Sequence, residues 1–476
     1  MRILLAASEV VPYAKTGGLA DVAGSLPKEF VDLEADARLI MPRYAKVEQE
    51  LDKVATGLEV PLGDERVAFE VYADRSQGYP AYFVDCPAFF DRPGLYGEDG
   101  ADYDDNAARF AFFAKAVLET AKALDFVPDV IHCHDWQTGL VPLLVKEGGY
   151  PEFAKTATLF TIHNLAYMGA FKPGEALPLI GLGSSIFKVE GGLEYYGKVN
   201  YLKAGLVFAD LLTTVSRKYA AEIQTPEFGY GLEGVLASRS AELYGVLNGI
   251  DYELWNPADD KQIPNNYSAD DPAGKAQCKA ALQREYGLPE RLDVPLVGMV
   301  TRLADQKGLD LFAEAAEDFF RRELQFVLLG TGAPEYHEMF EKLAAEHPER
   351  CGVKLAYDAA LAQRIYAGSD MFLMPSRYEP CGLGQLIALA YGTIPVVRAT
   401  GGLADTIEDG VNGFRFDEYQ ASQMLDCLDR ALAAYTDPEA WTELRQRAFD
   451  SDFSWERSAR RYLELFAEAV EKRRSN

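Results

Sequence analysis

Residues 1–21, MRILLAASEVVPYAKTGGLAD, carry the pattern that decides the fold. The run 2–7 is short, apolar and bounded by polar residues, as a buried strand is. A turn then leads to Thr16-Gly17-Gly18-Leu19-Ala20-Asp21, which opens a segment of helical period. The same hexapeptide recurs at 400–405, again between a strand-like run and a helix-like one. A glycine pair at such a junction lets backbone N–H groups approach a ligand closely, and the helix dipole favours negative charge there. One copy is equally compatible with a flexible helix start. Two identical copies near opposite ends of the chain favour a cleft that both serve.

The strand–turn–helix pattern repeats outward from this stretch. Apolar runs at 37–41, 129–133, 156–163 and 211–215 follow in the first half; runs at 244–247, 295–301, 324–330, 370–374 and 395–398 follow in the second. Strands alternating with helices predict parallel sheets covered on both faces, an α/β doubly wound architecture. Only 54–86 reads as an antiparallel excursion. A chain of 476 residues exceeds one ordinary core, so two domains are expected. The boundary falls near Leu247-Asn248-Gly249-Ile250-Asp251. This divides the chain into 1–247, 248–453 and a terminal helical segment, 454–476, with no strand after it, which could brace either domain.

Composition narrows the partners. Hydrophobic residues make up 48% and charged residues 25%, as in globular proteins, and the formal charge is −27. Such a surface repels nucleic acid and anionic membranes. The first run lacks the cleavage site of a signal peptide, no run is long enough to span a bilayer, and the six cysteines contain no C-x-x-C pair. A cytoplasmic protein with reduced thiols is expected.

Four segments have the residue types for chemistry. Arg302 and Lys307 flank a turn between a strand and a helix, where a guanidinium fork and a point charge would clamp a diphosphate. Glu379-Pro380-Cys381-Gly382-Leu383 also opens a helix; its amides would receive a phosphate and Glu379 would bond sugar hydroxyls. Cys381 has no partner base nearby in sequence and reads as a small buried hydrophobe. His163 ends a strand, where a structural role is the commoner one. His132-Cys133-His134-Asp135 looks like a metal cluster, but neighbouring strand residues face opposite ways, so no metal is expected. Tyr96 and Trp136 are candidate sugar-stacking platforms, although such rings are more often core.

Together these segments closely resemble the bacterial and plant glycogen and starch synthases, retaining glycosyltransferases of the GT-B fold. The resemblance runs through Lys15 to Leu19, His134-Asp135-Trp136, His163-Asn164-Leu165, Arg302 to Gly308, Glu379 to Leu383 and Thr400 to Leu403, in order along essentially the whole chain. It implies two Rossmann-like domains facing across a deep cleft, an N-terminal acceptor domain and a C-terminal nucleotide-sugar domain, and it allows the terminal segment to return to the first. It implies transfer of glucose from ADP-glucose to glycogen or a malto-oligosaccharide without metal or cofactor, with UDP-glucose as the alternative donor. Lys15, Gly17 and Gly18 would sit near the donor phosphates and glucose. Arg302 and Lys307 would neutralise the leaving diphosphate, and Glu379 with the amides of Cys381, Gly382 and Leu383 would hold sugar and phosphate. His163 would contact the glucose. Asp21, Asn164, Asn248 and Tyr357 would line the donor site with Thr400 and Gly401. Tyr96, Asp135 and Trp136 would face the acceptor.

Many GT-B relatives carry a second glutamate eight residues after the first, where this chain has Ile387. That departure fits the glycogen synthase branch. A dinucleotide oxidoreductase is disfavoured because no G-x-G-x-x-G follows the first strand. A glucan-binding protein without chemistry is disfavoured because every charged motif residue is present.

Overall fold

The computed structural model describes residues 1–98 and 100–475, and the chain forms two compact units. The first comprises Met1–Val215, Ala220–Leu247 and the segment from Trp455. The second comprises Ser216–Tyr219 and Asn248–Ser454.

The first unit is built on a nine-stranded sheet. Arg2–Ala6 lies inside it, flanked in parallel by Asp36–Pro42 on one side and Val130–His134 on the other. Ala157–Ile162, Leu211–Thr214 and Leu243–Gly245 continue in parallel beyond Val130–His134. Their side chains are buried with almost no alternation, as expected of parallel strands covered on both faces. Leu243–Gly245 is thus the edge of the first sheet, which corrects the grouping of 244–247 with the second half. The polar stretch that separates the units begins only after it.

The antiparallel excursion resolves into two parts. Asp52–Leu62 and Glu65–Asp74 form a hairpin across Gly63-Asp64, where Gly63 has φ +63°, a value a two-residue hairpin turn demands. Ala81–Asp85 pairs antiparallel with that hairpin yet parallel with Asp36–Pro42, so the chain rejoins the main sheet. Helix Trp455–Ser475 closes one face of this unit. Its Tyr462 and Phe466 rings pack on Phe30 of helix Leu19–Asp32 and on His132.

The second unit has six parallel strands in the order Cys351–Lys354, Gln325–Gly332, Leu296–Leu303, Met371–Met374, Ile394–Arg398, Phe414–Phe416. Cys351–Lys354 and Phe414–Phe416, of four and three residues, escape the sequence reading because they are too short to show a pattern. Helix Leu309–Arg321 shows how the layers join. Leu309, Phe312, Ala316, Phe319 and Phe320 fall on one stripe and are buried with Phe326 and Phe340 in one core.

Candidate active site

In each sheet the chain first adds strands on one side of its opening strand, then crosses to the other side. Ligands of such sheets bind beyond the carboxyl ends of the strands at this reversal. In the first unit the reversal lies between Arg2–Ala6 and Val130–His134; in the second, between Leu296–Leu303 and Met371–Met374.

Beyond Arg2–Ala6, Glu9 is buried, and its carboxylate accepts four hydrogen bonds. They come from the Thr16 amide at 2.5 Å, the Thr16 hydroxyl at 2.7 Å, the Gly17 amide at 3.0 Å and the Tyr96 hydroxyl at 2.7 Å. Tyr96 also pairs with the Ser8 hydroxyl at 2.7 Å. The glycine-rich loop is therefore wrapped around a buried anion. The Gly17 amide, expected at a phosphate, is instead taken by Glu9, whose negative charge satisfies the donor first. Around Gly17 itself there is room: a Cβ would meet no atom of the described residues within 4 Å. Gly18 caps helix Leu19–Asp32. The half-exposed Lys15 ammonium lies 2.7 Å from the Asp21 carboxylate. Burial pushes Asp21 upward, while Lys15 pulls the other way.

Beyond Val130–His134, Asp135 sits at φ +55°. A non-glycine residue there is strained and is held by its surroundings. Its carboxylate accepts the His163 amide at 2.7 Å and the Asn164 amide, while burial pushes its pKa up to about 7. His134 Nδ1 lies 2.9 Å from His163 Nε2. His132 Nε2 bonds Thr161 Oγ1 at 2.7 Å, and Thr161 bonds Thr213 at 2.6 Å. Burial drives His163 down to about 3 and holds His132 and His134 well below the ordinary range, so all three rings are neutral near pH 7.

The stacking role expected of Trp136 is corrected. The ring is 8% exposed and packs against Phe110 and Phe171, with centroids 4.8 and 5.8 Å away. Gly169 approaches so closely that a Cβ there would come within 2.2 Å of it. Set in the short helix Asp135–Thr138, the ring is turned inward and buries its apolar surface against those two aromatics. Tyr96 is half-buried, with its hydroxyl tied to Glu9 and Ser8.

In the second unit Arg302 is exposed near the end of Leu296–Leu303 and donates to Gln306 at 3.1 Å. Gly308, at φ +70°, lets this loop touch the next: a Cβ would lie 2.0 Å from the Pro375 carbonyl. The Lys307 ammonium is thereby set 2.6 Å from the Glu379 carboxylate, which also accepts the Ser376 hydroxyl at 3.1 Å. Glu379 is 6% exposed. Burial pushes the Cys381 thiol up to about 12, leaving it un-ionised and a poor nucleophile. The Asn248 main-chain N–H donates to that thiol, and its buried Oδ1 has no hydrogen-bond partner among the described residues. Leu383 caps helix Gly384–Ala390, in which Ile387 is buried in an apolar cluster with Tyr366, Phe372 and Tyr391.

The second hexapeptide does something the first does not. A Cβ on Gly401 would fall 1.9 Å from the Glu379 carbonyl, and one on Gly402 2.0 Å from the Cys381 carbonyl. The Gly402 amide donates to the Glu379 and Pro380 carbonyls, both at 3.1 Å. The reading of this copy as ligand-facing amides is thus corrected for Gly402. The glycines that follow Thr400 let two backbones touch and brace the Glu379 loop. Asp405 differs from its counterpart Asp21 as well, accepting the Arg217 and Lys218 amides.

Tyr357 stands in the loop after Cys351–Lys354 with its side chain 83% exposed. Among the described residues no group of three His, Cys, Asp or Glu is arranged to hold a metal ion. The sequence reading missed Glu9, Ser376 and the pairing of His134 with His163. Glu9 lies just past the first strand and carried that positional signal. The other two carried none, because their partners come from distant strands.

Two doubly wound units, each with charged and polar side chains at its reversal, match the architecture of the GT-B glycosyltransferases. The starch synthase catalytic domain family matches residues 2–238, and the glycosyl transferases group 1 family matches residues 285–448. Glycogen synthase of Syntrophotalea carbinolica is 51% identical, covering 99% of both chains. That of Moorella thermoacetica is 49% identical, covering 100% of this chain and 98% of its own. The catalytic domain of starch synthase IV from Arabidopsis thaliana, solved with ADP and acarbose, is 34% identical with a TM-score of 0.91 and 99% coverage of each chain. Sucrose-phosphate synthase from Thermosynechococcus elongatus is 17% identical, covering 98% of this chain and 99% of its own at a TM-score of 0.64, and shares the fold. The chain belongs to the glycogen and starch synthase family.

Proposed function

We propose that this chain transfers glucose from ADP-glucose to the non-reducing end of an α-1,4-glucan, with retention and without a metal, in the cytoplasm. The observation that carries the donor assignment is the likeness to a starch synthase solved with ADP and acarbose. The acceptor is glycogen or a malto-oligosaccharide.

Arg302 and Lys307 offset the charge that grows on the departing diphosphate. Glu379 and the amides of Cys381, Gly382 and Leu383 bind sugar hydroxyls and the distal phosphate, while the unpartnered Asn248 Oδ1 accepts from the ligand. Lys15, Asp21, Thr400, Gly401 and Asn164 complete the donor site, and the exposed Tyr357 ring is free to stack on the nucleobase. His163 is neutral and meets the glucose as a hydrogen-bonding group rather than as an acid. Tyr96 and Asp135 contribute to the acceptor side, with Trp136 as packing behind them. Lys307 binds Glu379, and burial has pushed Cys381 out of nucleophilic range, so we favour attack on the face the diphosphate leaves, its oxygen taking the acceptor proton.

The test supplies pure protein with glycogen and either ADP-glucose or UDP-glucose, with chelator and no-primer controls. Primer-dependent ADP release that survives chelation is expected. No release from either donor, while glycogen still binds, would leave a glucan-binding protein instead. Release that chelator abolishes would overturn the metal-free reading.

A further inference from the structure

His134 has no role in the donor and acceptor contacts above, yet its ring is fully buried and aimed at one that has. We propose that His134 is a positioning residue: it donates Nδ1–H to His163 Nε2, fixing His163 as the Nδ1–H tautomer that offers one neutral donor to a sugar hydroxyl. This rests on the reading of His163 as a sugar contact.

The geometry admits two arrangements of the 2.9 Å bond. If His163 donated from Nε2, the proton of the neutral His134 would sit on its own Nε2. That nitrogen is buried and has no hydrogen-bond partner among the described residues. A buried N–H without an acceptor is among the rarest features of folded proteins, whereas an under-used acceptor is tolerated better. The neighbouring ring offers no rescue. His132 lies 4.1 Å away, centroid to centroid, at a 43° tilt, and its Nδ1 is likewise without a partner. Overlapping rings do not direct an N–H of one at the in-plane lone pair of the other. His132 is held in turn by Thr161 and Thr213, and its far side packs on Tyr462 and Phe466. His134 is thus clamped from behind with its proton on the side facing His163.

His163 then has its acceptor nitrogen occupied and its proton on Nδ1. It is half-buried, and its main chain is fixed separately by the Asp135 carboxylate. Such a ring can donate to a hydroxyl oxygen but cannot remove a proton from it.

The chain has five histidines, so a histidine-selective ¹⁵N-labelled sample gives a readable long-range ¹H–¹⁵N spectrum, with His163 assigned by its loss in His163→Gln. Protonation of His163 at Nδ1 is expected in the wild type. Protonation at Nε2 overturns the proposal. His134→Leu should scatter His163 over both tautomers and lower kcat on the order of tenfold, the scale on which loss of a tautomer-fixing partner is felt, with KM for donor and primer nearly unchanged. His134→Asn, whose amide nitrogen can stand in for Nδ1, should restore the single tautomer and most of kcat. A single Nδ1–H tautomer in His134→Leu also overturns it. If His134→Leu does not fold, the wild-type and His134→Asn spectra decide. Unimpaired transfer by His163→Gln would remove the sugar contact while the tautomer assignment stood on its own spectra.

Discussion

Lys307 and Glu379 occupy each other: the ammonium lies 2.6 Å from a carboxylate that is 6% exposed. Each was expected to bind a different part of the donor, so in the proposed donor site a diphosphate would share Lys307 with Glu379. Lys307→Ala leaves a buried carboxylate unpaired, and Glu379→Gln leaves the lysine without its counter-ion. Each should lower kcat/KM on the order of 100-fold, the scale of losing one preorganised charge contact. The double variant should lose far less than the product of the two. A double-mutant cycle in kcat/KM checks this, and strict additivity would show that the pair does not act as a unit.

Glu9 gathers four donors, so Glu9→Gln should be costly despite its near-identical shape. An amide presents N–H groups to partners that are themselves donors, and unfolding in urea should show a loss of about 2–3 kcal/mol. Tyr96→Phe removes one of the four bonds and should cost about 1 kcal/mol. Equal losses in the two variants would argue against a carboxylate-centred loop.

Gly17 and Gly401 occupy matching places in the repeat and should respond oppositely. A Cβ on Gly17 meets nothing within 4 Å, so Gly17→Ala should leave the melting temperature within a degree or two, as expected for a change below about 0.5 kcal/mol. If donor approaches that space, KM for the nucleotide-sugar should rise. Gly401 has φ +44° and would drive a Cβ to 1.9 Å from the Glu379 carbonyl. Gly401→Ala should therefore destabilise by about 2 kcal/mol or more and displace Glu379. Calorimetry with steady-state kinetics separates the two outcomes.

Asp135 gives a pH prediction with a definite sign. Its folded pKa is raised to about 7 from an ordinary value of 3.8, so the folded state binds the proton more tightly than the unfolded state does. Its contribution is fully present below about pH 4 and is lost as pH rises through 7. Asp135→Asn keeps an oxygen for the His163 amide and removes the titration. The stability of wild type relative to this variant should fall between pH 4 and 7. A difference that stays flat across that window would refute the shift.

The sequence exposed the strands well because parallel strands buried on both faces are continuous apolar runs, as in Arg2–Ala6 and Ala157–Ile162. It exposed the motif residues because charge and glycine at strand ends are rare without a reason. It could not expose what those groups do to one another. The Gly17 amide looks free until Glu9 is seen beneath it, and Trp136 looks like a platform until Gly169 covers it. Nor could the repeat reveal that its two copies differ, since Glu9 meets one and the Glu379 loop meets the other.

Helix Trp455–Ser475 completes a layer of the first unit more than 200 residues after Leu247, where the chain leaves that unit. During synthesis the second unit therefore emerges from the ribosome while the first still lacks the cover for Phe30 and His132. The nascent first unit carries an open apolar face for as long as its translation partner takes to appear. The first unit can therefore complete its fold only after the whole of the second has been made, which ties the two folding events together in time.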